Sequence, residues 1–237
     1  MSTNLFQWKI FLQDTGGGET YLHWLMSAWK WTLAVSALAW IVALITGAIM
    51  GIARTLPNKL VVMIGNSWTE LFRNIPLLVQ IFIWYHVIPS LFLSLRNVPS
   101  LALVVIGLGF FTSARISELV KAGIESLPKG QYQAGIALGL TRFQTYRYII
   151  LPLTLRVVIP PLTSEAMSLL KNSSVAFAVS ISELTMFALQ AGEETSKNIE
   201  MFFAVTVLYF LSAFLVGRVG HFVEKQIRLP GVAGGRK

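Results

Sequence analysis

A chain of 237 residues that is 54% hydrophobic and 13% charged, with a mean hydropathy of +0.65, lacks the charge needed to cover a soluble globule. The absence of cysteine excludes disulfides, thiol nucleophiles and cysteine metal sites, and the three histidines, His23, His86 and His221, have no ligand-like spacing. A net charge of +8 would fit nucleic acid, but in a membrane chain segregated basic residues set topology instead.

A bilayer span needs roughly 20 consecutive apolar residues. The pattern predicts five spans, at 24–53, 60–88, 101–124, 149–189 and 201–222, in one all-α integral membrane domain covering 1–237. The N-terminal segment has no basic stretch followed by a cleavage site, so no signal peptide is expected. Gly16-Gly17-Gly18 predicts a loop ahead of the first span. Within that span Ala43, Gly47 and Gly51 form a small-residue face suited to close helix contact. Trp24, Trp84 and Tyr209, near span ends, are expected as interfacial anchors. The second span carries Arg73 and the third carries Arg115, with Glu118 three residues on and therefore on the same helix face. The fourth region is expected to be interrupted at Pro160-Pro161. It continues through a polar stretch of Ser164, Glu165, Ser168, Lys171, Asn172, Ser173 and Ser174.

The remaining charges orient the chain. Arg54, Lys59, Lys121, Lys129, Arg142, Arg147, Arg156, Arg218, Lys225, Arg228, Arg236 and Lys237 fall on one side. Only Lys9, Lys30, Arg96 and Lys197 fall on the other, beside Asp14, Glu19, Glu193, Glu194 and Glu200. Positive residues stay inside, so the N-terminus is expected outside and the C-terminus in the cytoplasm. Such segregation leaves nucleic acid an unnecessary partner. An arginine at the centre of a bilayer costs about 2.5–3.5 kcal/mol on insertion scales. Arg73, Arg115 and Lys171 are therefore candidates for a bundle interior or a watery path, unless Arg73 and Lys171 snorkel to the headgroups.

Between the third and fourth spans the cytoplasmic loop 126–152 has its own local chemistry. Pro128 suits a first helical turn, Gly139 suits a left-handed helix end, and Thr141 with Gln144 forms a capping box for the next helix. Two short helices with a sharp bend are predicted. On spacing alone this remains equally an ordinary helical connector.

The run Gln133-Ala134-Gly135, then Gly139, then Ile149, Leu151 and Pro152, is similar to the cytoplasmic loop of ABC importer permeases, Glu-Ala-Ala, three residues, Gly, nine residues, Ile-x-Leu-Pro. Both spacings are intact, while Gln133 stands for Glu and Gly135 for Ala. Further matches cover nearly the whole chain: Glu70-Leu71-Phe72-Arg73-Asn74-Ile75-Pro76-Leu77-Leu78-Val79-Gln80, Glu118-Leu119-Val120-Lys121-Ala122-Gly123-Ile124 and Leu170-Lys171-Asn172-Ser173-Ser174. They resemble signatures of polar amino-acid importers, nearest to the glutamate/aspartate import permeases.

The resemblance implies a five-span permease fold with a cytoplasmic coupling helix, in the bacterial inner membrane. It implies a permease pair, by analogy two different but related chains, seated on a dimer of ATPase subunits. It also implies a periplasmic solute-binding protein that delivers the solute; the acidic outer residues either contribute to that docking or serve solubility. The coupling residues would be Gln133, Ala134, Gly135, Gly139, Leu151 and Pro152. With no Gly-x4-Gly-Lys-Ser/Thr phosphate loop the chain cannot supply the ATPase, so ATP and Mg would be bound by the partner and no cofactor or metal by this chain. In the family this resembles, most polar amino-acid permeases have an aromatic residue, usually Tyr, at the position of Arg115, and the acidic-substrate branch has Arg there.

A guanidinium can hold a carboxylate bidentately, which makes Arg115 and Glu118 the candidate substrate-binding pair for an acidic amino acid. Glu118 would meet the ammonium group or simply neutralise Arg115. Lys171 and its polar neighbours fit packing at the permease interface better than direct substrate contact. Another polar amino acid is the runner-up substrate; a secondary transporter or channel, or a non-transporting scaffold, are the other classes. No nucleophile–base pair suggests that the chain is itself an enzyme.

Overall fold

The computed structural model describes residues 7–227, so Arg228, Arg236 and Lys237 of the orienting charges lie outside the described residues. Eight helical elements carry the fold: α1 Tyr21–Ala53, α2 Lys59–Asn74, α3 Leu77–Leu91, α4 Ser100–Glu125, α5 Lys129–Ala137, α6 Arg142–Val179, α7 Leu184–Thr195 and α8 Asn198–Ile227. Of these, α1, α4, α6 and α8 are each long and apolar enough to cross a membrane, and α2 with α3 qualifies as one broken span. At 33 residues α1 is about 50 Å long, more than the roughly 30 Å hydrocarbon core.

Proline sets several of the irregularities. The second span was expected to run unbroken from 60 to 88, but it breaks at Ile75-Pro76. Pro76 disfavours helical space for the residue before it, and Ile75 is extended at φ −94°, ψ 130°. Wide π-type turns at Ile83–Val87 and Tyr146–Ile150 lie just ahead of Pro89 and Pro152. A proline has no N–H to close the ordinary turn, and a widened turn is one way to absorb the gap. The interruption expected at Pro160-Pro161 does not occur. The helix continues through both prolines, and the carbonyls that lose partners belong to Arg156 and Val157, both exposed residues.

The chain divides into two compact units, and the long helices contribute to both. The first comprises the described residues up to Ile41, with Pro76–Gly109 and Ser168–Phe214. Its core joins the start of α1 to α7 and α8 through Tyr21, Leu25, Ala28, Phe187, Ala191 and Met201. Trp24 and Tyr209, expected as interfacial anchors, both make contacts with α7 and its cap. Trp24 meets Phe187 edge-on at 5.1 Å, and the Tyr209 hydroxyl donates to Glu183 Oε2 at 2.7 Å. Fully buried Glu183 caps α7 by accepting from the N–H groups of Thr185 and Met186, both at 2.9 Å.

The second unit comprises Val42–Ile75, Phe110–Met167 and the chain from Leu215. Here α1 meets α4 through the small-residue face. A Cβ on Gly47 would lie 2.6 Å from the Ile116 Cβ, and one on Gly51 would lie 2.6 Å from the Val120 Cβ. Only glycine permits that approach. Trp68, Phe72 and Phe110 close the α2–α4 contact as an aromatic trio with centroids 4.5 to 5.3 Å apart.

The cap on α7 makes a measurable demand. Glu183→Ala removes an acceptor from two backbone donors and from Tyr209, and is expected to lower stability by about 1–3 kcal/mol. Glu183→Gln keeps one acceptor oxygen and should lose less. Thermal unfolding in detergent reads both, and equal losses would mean that the carboxyl geometry is immaterial.

Candidate functional site

Two clusters gather the residues singled out by chemistry, and both belong to the second unit. The first is the bend after α4. Pro128 occupies the N-cap of α5, one residue ahead of the first turn expected for it. At the far end Gly139 sits at φ +77°, with open space where a Cβ would be. The Leu140 N–H donates back to the Gly135 carbonyl at 3.1 Å, and the Gly139 N–H donates to Ile136 at 2.9 Å. That pair is a Schellman ending. Two residues later the Thr141 hydroxyl accepts from Gln144 N at 3.3 Å, while the Gln144 side chain accepts from Thr141 N at 2.8 Å. One helix therefore ends and the next begins within three residues, each terminus satisfied by its own neighbours.

The second helix is not short. Arg142 opens α6, which runs on to Val179, so Leu151 and Pro152 lie within a continuous helix. Tyr146 ties its start to the α1–α2 turn by donating to the Thr55 carbonyl at 3.1 Å. Arg142 Nε donates to the Tyr132 hydroxyl of α5 at 3.1 Å. Gln133, Ala134 and Gly139 are exposed while Gly135 is buried. Around them stand Leu138, Phe143 and Tyr148, which are 76%, 73% and 64% exposed. The bend is a braced element with apolar side chains turned outward.

The second cluster surrounds α4. Ser113 and Ser117, one turn apart and fully buried, face α2. Trp68 Nε1 donates to Ser113 at 3.0 Å. Ser117 pairs with Thr69 at 2.9 Å; because the Thr69 hydroxyl donates to the Gly65 carbonyl, Ser117 is the donor of that pair. Arg54 completes the chain of donors. Its Nη1 reaches Ser117 at 3.2 Å, Nε reaches Asn66 Oδ1 at 2.8 Å, and Nη2 reaches Glu118 Oε1 at 3.0 Å. The Arg54 side chain is only 8% exposed.

This arrangement corrects one sequence reading and adds to another. Arg54, counted among the charges that orient the chain, is also a buried cation pinning the end of α1 to α2 and α4. Glu118 does not neutralise Arg115; it is shared by Arg54 and, at 3.4 Å, by the half-exposed Arg73. The carboxylate beside Arg115 is Glu165 of α6, at 3.7 Å, and the guanidinium lies over the Phe111 ring, 5.3 Å from its centroid. Spacing along one helix put Arg115 and Glu118 on a common face, but each meets a different neighbouring helix. Glu165 had a legible signal, being the sole acid between Arg142 and Val179. Arg54 had none, since a basic residue at a span end is what topology demands anyway. Lys171, in the first unit, is exposed in the last turn of the regular α-helical part of α6, where the helix dipole favours a cation. Among the described residues no three potential metal ligands come together.

Arg54 and Arg73 share one carboxylate but differ in burial, so their removal should differ. Glu118→Ala strands the buried Arg54 without a counter-charge and is expected to lower stability by about 2–3 kcal/mol. Arg73→Ala should change it by less than about 1 kcal/mol, as an exposed pair does. Detergent unfolding of the two variants checks the order, and an equal effect would place the main partner of Glu118 elsewhere.

Comparison with known proteins bears on this geometry. The family described as binding-protein-dependent transport system inner membrane component matches residues 21–229. The glutamate/aspartate import permease protein GltJ of Escherichia coli strain K12 is 40% identical over 242 residues, covering 98% of each chain. The permease protein GltK for glutamate/aspartate import, of Escherichia coli O6:H1, is 27% identical over 195 residues, covering 80% of this chain and 87% of its own. The crystal structure of an amino acid ABC transporter with histidines superposes with a TM-score of 0.76 at 25% identity, covering 87% of this chain and 95% of that one.

Proposed function

The chain belongs to the binding-protein-dependent transport family of inner membrane components, and on that premise we propose that it is the permease subunit of an ATP-driven importer for glutamate or aspartate. The observation that carries the drive is the braced bend at Gly139. Its caps are self-contained, and Leu138 and Phe143 are turned outward from it. An apolar projection on a rigid element is what a partner needs in order to push on a membrane protein. That partner is a dimer of ATPase subunits, which binds ATP and Mg and receives the bend in a groove. Closure of the ATPases moves α5 and the start of α6 as one body and switches the permease between inward- and outward-facing states. Gln133, Ala134 and Gly139 lie on the face that enters the groove, with Gly135 packed beneath it and Leu151 and Pro152 carrying the motion into the span. Since Gln133 has no carboxylate, docking here rests on shape and apolar contact rather than on a salt bridge.

The acidic substrate is supported by the likeness to a glutamate/aspartate permease over 98% of the chain and by Arg115. That arginine is 45% exposed within an apolar helix, and its pairing with Glu165 at 3.7 Å is loose. A carboxylate from the solute would compete for the same guanidinium. Glu118, held by Arg54 and Arg73, would reach the substrate ammonium only by leaving them, so Arg115 is the stronger of the two. The second permease is a related but different chain, in keeping with the resemblance to both GltJ and GltK. A periplasmic solute-binding protein delivers the amino acid. The basic residues put the bend and C-terminus in the cytoplasm and the N-terminus in the periplasm.

Two measurements test the reading. In proteoliposomes holding the full complex and binding protein, glutamate and aspartate should stimulate ATP hydrolysis where neutral and basic amino acids do not. Arg115→Tyr should weaken the response to glutamate by about 10- to 100-fold, the equivalent of a lost charge-assisted contact; an unchanged half-saturating concentration would sink the assignment. The double variant Leu138→Asp, Phe143→Asp should lose its ATPase subunits on purification while remaining folded in the membrane. Full retention of the ATPase would move the docking surface away from the bend.

A further inference from the structure

Two glycines four residues apart bound the last turn of α5, and they are required for different reasons. Gly139 needs freedom of the backbone: its φ is +77°, and a Cβ there would meet nothing within 4 Å. Gly135 is helical, so its backbone suits any residue, and alanine would favour the helix more. What it lacks is room. A Cβ at 135 would lie 2.6 Å from Thr145 Cγ2, 2.8 Å from Thr145 Oγ1 and 3.2 Å from Ile149 Cδ1. Carbon atoms in contact prefer about 3.5–4.0 Å, so a methyl group would force the two helices apart by about 1 Å.

Thr145 has little freedom to yield. It is fully buried, and its hydroxyl donates at 3.0 Å to the Thr141 carbonyl, which also accepts the Thr145 N–H at 2.8 Å. Thr141 is the residue that caps α6. Any shift of Thr145 therefore disturbs the cap that starts the helix. The Gly135 carbonyl closes the Schellman ending through Leu140, so any shift of Gly135 disturbs the turn that presents Leu138.

We propose that Gly135 and Thr145 are a size-matched positioning pair: the missing methyl of one accommodates the branched side chain of the other, and this match sets how α5 lies against α6. It thereby sets where Leu138 and Phe143 stand for the ATPase. The proposal rests on the coupling role assigned to the bend above. Volume carries it and the hydroxyl does not, so the defect of an added methyl is cured by removing one elsewhere.

The test is a volume swap in the full complex. Gly135→Ala should lose most of the solute moved per ATP hydrolysed, at matched amounts of assembled complex. The double variant Gly135→Ala, Thr145→Ala should recover it. Thr145→Val, which keeps shape and drops the hydrogen bond, should couple as the parent does. Melting temperatures of the chain in detergent provide a second readout, falling in Gly135→Ala and recovering in the double variant. Parental coupling in Gly135→Ala, failure of the double variant to recover, or loss of coupling in Thr145→Val would each overturn the pair. If Gly135→Ala does not assemble, recovery of assembly in the double variant supports the pair and its absence overturns it. A parent chain that retains no ATPase would instead overturn the coupling role, and the melting temperatures would still decide the size match.

Discussion

Hydrocarbon offers no hydrogen bonds, and each polar departure from apolar helix in this chain has to be answered within the protein or by water. Arg54 shows how completely that is done. Its guanidinium is spent on Asn66, Ser117 and Glu118, and Ser117 passes the chain of donors to Thr69 and the Gly65 carbonyl. The cluster joins α1, α2 and α4 around a single carboxylate. A hydrophobic face between the same helices would gain little from burial, since lipid is equally apolar. Hydrogen bonds and close packing take over that task, and the glycines at 47 and 51 supply the close packing.

The bend after α4 follows a different logic, because it holds its shape with most of its residues exposed and no deep core. Its rigidity comes from covering the end of α5 and the start of α6 locally. The Schellman ending at Gly139 and the box at Thr141 leave few backbone groups to solvent, and Tyr146 and Arg142 tie the element to its surroundings. An element built this way can be moved as a unit, which a frayed loop cannot. The wide turn at Tyr146–Ile150 sits between this element and the rest of α6.

Much of the bend was legible because it is local. The left-handed glycine and the capping box depend on neighbours a few residues away, and the structure places Gly139, Thr141 and Gln144 as that chemistry requires. Pro128 fell one position off, and the helix after the bend proved long, because its continuation depends on prolines that α6 tolerates rather than on the cap. The charged cluster was less legible. Arg115 and Glu118 share a face of one helix, and that regularity suggested a pair. Neither Glu165 nor Arg54 is near them in sequence, so no local spacing could have named them as the true partners.

By itself, then, the sequence determined the class of the protein, the presence of several long apolar helices and the bend, since hydropathy and caps act over one or two helical turns. It also contained the departure at Gly135 without the reason for it. Only the tertiary structure decided which carboxylate each arginine meets and why position 135 carries no methyl group. Those outcomes depend on how helices rotate and how closely they approach, and packing across dozens of residues sets both.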